Sequence, residues 1–274
     1  MLEEGPQQGD PLGPLLFCTT IHSLMRSLGS DLILGYLDDF TLAGPQSVVA
    51  TDIQQVIVEG SKMGLCLNPS KCEVISHPDL NVVDQTISSF TFVSVADATL
   101  LGAPLFAGNV LVWDDTWSAR CEGLKLAADR LSLLSAQDAL LLLRVSFSVP
   151  RVQRLLRCAP SVDNPALELF DRHLMSALSR ISNTNISDTQ WLQASLPIKH
   201  GGLGIRQVRS LALPAFLASA TSTSDLQSRI LSASACTTDI YFDSYLSAWQ
   251  AAHGPLSPTD SLPAKQSVWD KPGI

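Results

Sequence analysis

A chain of 274 residues with 46% hydrophobic and only 16% charged residues can bury a sizeable core in one or two domains, which excludes wholesale disorder. Its formal net charge of −8 excludes a protein that is basic all over, and no apolar run approaches the ~18 residues of a membrane span. Six cysteines form no CxxC pair, and the Met1–Pro6 start lacks the basic and apolar regions of a signal peptide. Reduced thiols in an intracellular protein of the cytoplasm or nucleus are therefore expected, with no membrane partner.

The charge is unevenly spread. Residues 1–150 carry 7 Lys and Arg against 17 Asp and Glu, whereas residues 144–209 carry 9 against 4. An acidic first half able to hold cations, followed by a locally basic segment, is compatible with phosphate chemistry.

In chain order, Gly5 to Pro14 holds three glycines and three prolines and reads as a tight loop. From Leu15 the apolar positions Leu15, Leu16, Phe17, Ile21, Leu24, Met25 and Leu28 recur at helical spacing. Pro14 suits the first turn of that helix and Gly29 its stop. The run Ile33-Leu34-Gly35-Tyr36-Leu37-Asp38-Asp39-Phe40-Thr41-Leu42-Ala43 then sets two adjacent carboxylates among large apolar and aromatic residues. Such runs read as strands, and acids inside them are costly unless exposed or bound to a cation. A β-hairpin with Asp38 and Asp39 at or beside its tip resolves the conflict. Carboxylates so placed suit a hard ion such as Mg²⁺, which shares its shell with substrate phosphates. Read alone, such a pair is more often a solvated turn, because turns are rich in Asp.

Val48 to Met63 reads as an amphipathic helix with Val49, Ile53, Val56, Ile57 and Met63 facing inward and Gly64 ending it. Leu65 to Ile75 reads as strand–turn–strand about Asn68-Pro69-Ser70. Phe90 to Val95 and Thr99 to Leu105 look like further short strands. Beyond Trp113 the pattern is helical: Ala119–Leu134, Ala136–Phe147, Ala166–Ile181 and Val208–Ala220, the last despite Pro214. Arg151, Arg154 and Arg157 follow at intervals of three and share a helix face. Trp113, Trp117 and Trp191 read as core or helix-packing residues. The last twenty residues or so, rich in Ser and Pro, read as loose.

Several motifs now stand in one order. Gln7-Gln8-Gly9-Asp10-Pro11-Leu12-Gly13-Pro14-Leu15-Leu16-Phe17 resembles the loop and helix that precede the metal-binding hairpin of reverse transcriptases. Tyr36-Leu37-Asp38-Asp39 looks like that hairpin's YLDD motif, and Gly64 to Glu73 is similar to the next block of the palm. Leu101-Gly102-Ala103-Pro104-Leu105 sits where the family's primer-grip hairpin falls. Leu196-Pro197 followed by Gly201-Gly202-Leu203-Gly204-Ile205 resembles a segment downstream of the palm in retrotransposon enzymes of the non-LTR kind. The resemblance covers roughly residues 4–210. It implies an α+β fold: a partial polymerase palm of antiparallel strands with packed helices over 1–112, a helical thumb-like region over 113–220, and a helical to loose tail over 221–274.

The resemblance also implies RNA-directed DNA synthesis, with an RNA template, a DNA primer, dNTPs and Mg²⁺. Asp38 would be the principal metal ligand of the hairpin and Asp39 its neighbour. Tyr36 would lie near the primer end, and Gln8 and Gly9 against template and incoming nucleotide. Lys71 matches a lysine near the leaving pyrophosphate, and reads equally well as a solvated turn lysine. Arg151, Arg154 and Arg157 would track the primer–template backbone; a solvated helix face accounts for them as well. His200 and its glycines read as structural. The family's palm has a further aspartate-bearing strand and fingers ahead of the Gln-Gly-Asp-Pro loop, where this sequence has only Met1 to Pro6. The expectation is therefore an amino-terminally truncated reverse transcriptase, inactive alone, with its other half supplied elsewhere. The alternative is a non-catalytic nucleic-acid-binding remnant of a retrotransposon protein.

Overall fold

The computed structural model describes residues 9–75, 84–105, 110–158, 161–231, 240–256 and 262–271. The chain divides into two units, residues 1–95 and 96–274. The expected boundaries at 112/113 and 220/221 both fall inside helices.

The first unit opens with α1 (Gly13–Arg26), which has a proline in its first turn and buries Ile21 and Leu24. Leu15 and Leu16 stay exposed. Two antiparallel strands follow, β1 (Leu32–Tyr36) and β2 (Asp39–Ala43), in the register Leu32↔Ala43 through Tyr36↔Asp39. Helix α2 (Gln46–Lys62) ends where Gly64 takes φ +77, a left-handed conformation that glycine adopts without strain. Of the residues expected to face inward on α2, Ile57 is exposed; Val49, Ile53, Val56 and Met63 are half-buried. The buried positions are instead Ala50, Asp52 and Gly60.

The strand–turn–strand expected across Leu65–Ile75 needs correction. Residues 65–68 form no strand. The Asn68 side chain accepts from the Ser70 amide at 3.1 Å and closes a 3₁₀ turn over Pro69–Lys71, which sends the chain onward instead of back. Strand β3 (Glu73–Ile75) then finds its partner after α3 (Gln85–Ser88), pairing parallel with β4 (Thr91–Val93). The described buried apolar side chains of this unit are few: Ile21, Leu24, Leu28, Ala50 and Ile87.

The second unit begins with a two-residue hairpin between β5 (Thr99–Leu100) and β6 (Ala103–Pro104). Leu101 and Gly102 turn it with φ of 51° and 77°, the handedness that suits twisted strands. Helices α4 (Val110–Leu131), α5 (Ala136–Leu142), α6 (Val149–Cys158), α7 (Pro165–Ser182), α8 (Asp188–Ser195) and α9 (Val208–Leu231) follow. Between α5 and α6 the coil widens over Leu143–Phe147, and the Ser148 amide reaches back five residues to the Leu143 carbonyl at 2.9 Å. The helices enclose one core of Trp117, Leu124, Leu143, Leu156, Leu167, Phe170, Leu174, Leu178 and Ile205. Each leucine so buried contributes about 2 kcal/mol. Trp117 meets Phe170 edge-on at 6.3 Å. Trp117 and Trp191 are thus core residues, as expected; the side chain of Trp113 lies outside the described residues.

Residues 262–271 are held, not loose. Helix α10 (Ile240–His253) and the short α11 (Gln266–Asp270) bring Trp249 and Trp269 against Leu217 and Ala218 of α9. The Trp249 indole donates to the Trp269 carbonyl at 3.0 Å, and the Trp269 indole donates to the Pro263 carbonyl at 2.6 Å. Ser and Pro content had pointed the other way, but two buried indoles with satisfied N–H groups outweigh it. Among the described residues no helix is long and apolar enough to cross a membrane.

Candidate active site

The β1–β2 hairpin carries the acids. Tyr36 pairs with Asp39, so Leu37 and Asp38 are the two turn residues. Leu37 takes φ 57° while Asp38 does not enter the positive region, the pattern of a turn that favours glycine at its first central position. Asp38 therefore stands at the tip, and Asp39 opens β2. Both are exposed, as is Tyr36. Cross-strand partners share a face, which puts Tyr36 and Asp39 together on one side of the hairpin. Gly35 and Phe40 belong to the other side, which rests on α1. A Cβ on Gly35 would lie 2.7 Å from the Met25 sulfur, so β1 lies close against the end of that side chain.

The hairpin is held at its root by a residue that the sequence pattern does not single out. Asp52 of α2 is 3% exposed. Its carboxylate accepts the Gly29 amide at 2.9 and 3.1 Å, the Ser30 amide at 2.7 Å and the Ser30 hydroxyl at 2.5 Å. Burial pulls this carboxyl upward, but the Ser30 hydroxyl and the Gly29 and Ser30 amides together outweigh it and leave it below the usual carboxylate range. Gln55, one turn on, donates to the Ser27 hydroxyl at 2.8 Å. A signal existed in the sequence: Asp52 falls on the stripe of Val49 and Val56, where an amphipathic helix should be apolar.

The other candidates stand on separate elements. Gly9 is exposed with φ +93 and open space where a Cβ would stand, next to a turn in which Asp10 accepts the Leu12 amide at 2.9 Å. Gln8 lies outside the described residues. Lys71 ends the exposed 3₁₀ turn between α2 and β3. Among the described residues no ion pair joins it to Asp38 or Asp39. Arg151, Arg154 and Arg157 are in the second unit, all on the exposed face of α6, with Val152, Leu155 and Leu156 buried behind them. The Arg154 guanidinium donates to the Leu100 carbonyl at 3.3 Å, and that of Arg151 lies over Gly123 of α4.

The Leu-Pro…Gly-Gly-Leu-Gly run is a structural device. Gly202 crosses the Leu196 carbonyl so closely that a Cβ would sit 2.0 Å from its oxygen. Leu203 and Gly204 then donate to Ala194 and Leu196, each at 3.0 Å, folding the loop back onto α8. It delivers the chain to α9, whose first amides are met by Asp171 of α7: Val208 at 2.6 Å and Arg209 at 3.0 Å.

The acids fit one hard divalent ion in part. Two adjacent exposed carboxylates can supply one or two oxygens and leave the remaining positions to water or phosphate. Among the described residues no cluster of three or more His, Cys, Asp or Glu is present.

Residues 2–105 match the family described as reverse transcriptase (RNA-dependent DNA polymerase). This part of the chain is similar to reverse transcriptases. The match takes in the Gly9 loop, α1, the acidic hairpin, the Lys71 turn and the β5–β6 hairpin. No curated protein and no solved structure matches the chain.

Proposed function

We propose that the β1–β2 hairpin is the metal-binding hairpin of a non-LTR-type reverse-transcriptase palm, serving primer extension on an RNA template with dNTPs. One observation carries this reading: the family match covers a hairpin that leaves Asp38 and Asp39 exposed, side by side, at its tip. Asp38 and Asp39 would hold Mg²⁺, which when bound supplies charge neutralisation at the reacting phosphate. The chain's own residues orient the rest. Tyr36 shares a face with Asp39 and offers an exposed aromatic surface to a primer end. Gly9 permits close backbone approach to template or nucleotide. Lys71 offers a cation to a departing pyrophosphate.

Two tests follow. Terbium, a hard oxygen-seeking ion, should luminesce when excited through Tyr36, because residues 1–112 contain no tryptophan and no other tyrosine. The signal should vanish in an Asp38→Asn/Asp39→Asn variant; a signal that persists there removes the hairpin as an ion site. Because the described residues bring no further ligand to the hairpin, the 274-residue protein should not extend a primer unaided. Robust extension that disappears in Asp38→Ala would overturn that expectation.

A second reading, a nucleic-acid-binding protein without catalysis, rests on the α6 arginine face. It calls for salt-dependent binding of an RNA–DNA hybrid that falls when Arg151, Arg154 and Arg157 are reversed in charge.

A further inference from the structure

We infer that Asp52 is a positioning residue: it sets the direction in which the acidic hairpin leaves α1, and thereby where Asp38 and Asp39 present their oxygens. The inference rests on the hairpin reading above and goes past it, because the Asp52 carboxylate is buried and taken up by Gly29 and Ser30.

The argument begins with how little else holds the hairpin. The two strands form a sheet of their own, with no third strand beside them among the described residues. The apolar core beneath them is small. A two-stranded hairpin is marginal in water, so its orientation must come from its anchors. Three are present. Gly35 seats on Met25. Gly44, at φ +153, closes on Asp31, with its absent Cβ only 3.1 Å from the Asp31 amide. The third is Asp52, which grips the link Gly29-Ser30 between α1 and β1 through two backbone amides and a hydroxyl.

That grip is directional. Backbone amides of consecutive residues can reach one carboxylate only when the link curls around it. The link is then fixed relative to α2, and β1 starts two residues later. Gln55 repeats the tie one turn along by holding Ser27. A carboxylate serves here because it is acceptor-only and can take all of these donors at once; an amide would turn an N–H toward at least one of them.

The test uses the full 274-residue protein and two readouts. The first is the nuclear Overhauser signal between the Gly35 α-protons and the Met25 methyl, which reports the seat of the hairpin on α1. The second is terbium affinity at Asp38 and Asp39. In Asp52→Asn the Overhauser signal should disappear and terbium affinity fall about tenfold, while exchange protection within the β1–β2 ladder persists. A variant that keeps both the signal and the affinity overturns the inference. So does one in which the signal vanishes while terbium binds as before. If the first unit of Asp52→Asn does not fold, Ser30→Ala decides: it deletes one hydroxyl donor and should weaken both readouts, and unchanged readouts reject the role. Should wild-type terbium binding prove independent of Asp38 and Asp39, the ion-site reading fails. The Overhauser signal is then read by itself, and its disappearance in Asp52→Asn still establishes Asp52 as the hairpin's anchor.

Discussion

Asp171 offers the sharpest quantitative prediction. It sits on α7, 7% exposed, and its two oxygens cap the first amides of α9. Burial pushes its carboxyl up to about 6, against the pull of the Val208 and Arg209 amides and the Arg209 guanidinium, with Glu168 adding to the rise. The folded value lies above the unfolded one, so between them the native state holds the extra proton. The contribution of this group is whole below about pH 4 and drains away as pH rises through about 6. From an ordinary value near 3.8 to about 6, at about 1.4 kcal/mol for each pH unit, the change is about 3 kcal/mol.

Asp171→Asn removes the titration and keeps one acceptor. It should be less stable than wild type by about 1 kcal/mol at pH 4, for the hydrogen bond it spoils. At pH 7.5 it should be more stable by about 2 kcal/mol, because it hides no charge. Urea unfolding followed by tryptophan fluorescence is the assay. All five tryptophans lie at or beyond position 113, so the signal reports the second unit alone. A stability gap between the two proteins that does not change with pH would refute the reasoning.

Other expectations are simpler. Gly202→Ala must open the loop, since neither the Leu196 carbonyl nor the backbone around it can yield to a Cβ at 2.0 Å; a loss of about 3 kcal/mol is expected in the same urea assay. Trp269→Ala empties a fully buried site and should release α11 at a cost of about 3–5 kcal/mol to its docking, read as rapid proteolysis near Pro263. Leu37→Gly removes a left-handed leucine from the hairpin turn and, after the entropy glycine adds to the unfolded chain, should gain about 0.5 kcal/mol. Slower amide exchange in β1 and β2 would show it.

The hairpin was legible because its logic is local. Two acids in an apolar run have few places to go, and a two-residue turn at Leu37-Asp38 is one of them. The long helices were legible for the same reason, by period. The parallel pairing of β3 with β4 was not: Asn68-Pro69-Ser70 carries turn chemistry that serves a hairpin and a 3₁₀ turn alike, and the choice rests on a partner some eighteen residues away. The anchored end was hidden for a similar reason. Composition at 255–274 speaks of solvent, and only the fold shows that α9 offers Trp249 and Trp269 a place to bury.

Asp52 and Asp171 show why the decisive polar contacts escaped a reading by pattern. Both stand mid-helix in otherwise amphipathic stretches, and a helical aspartate usually faces water. Both instead turn inward to meet backbone amides at the start of another segment. What separates them is the number of donors and the depth of the packing around each. Asp52 gathers a hydroxyl and two amides, one of them shared between its oxygens, and stays ionised against its burial. Asp171 has two amides, lies among closely packed helices, and does not offset the cost of its burial. The first is accordingly a firm clamp at neutral pH, suited to holding a hairpin whose own strands cannot hold themselves. The second is a cap whose buried charge costs less as acid is added, in a unit whose core is large enough to carry it.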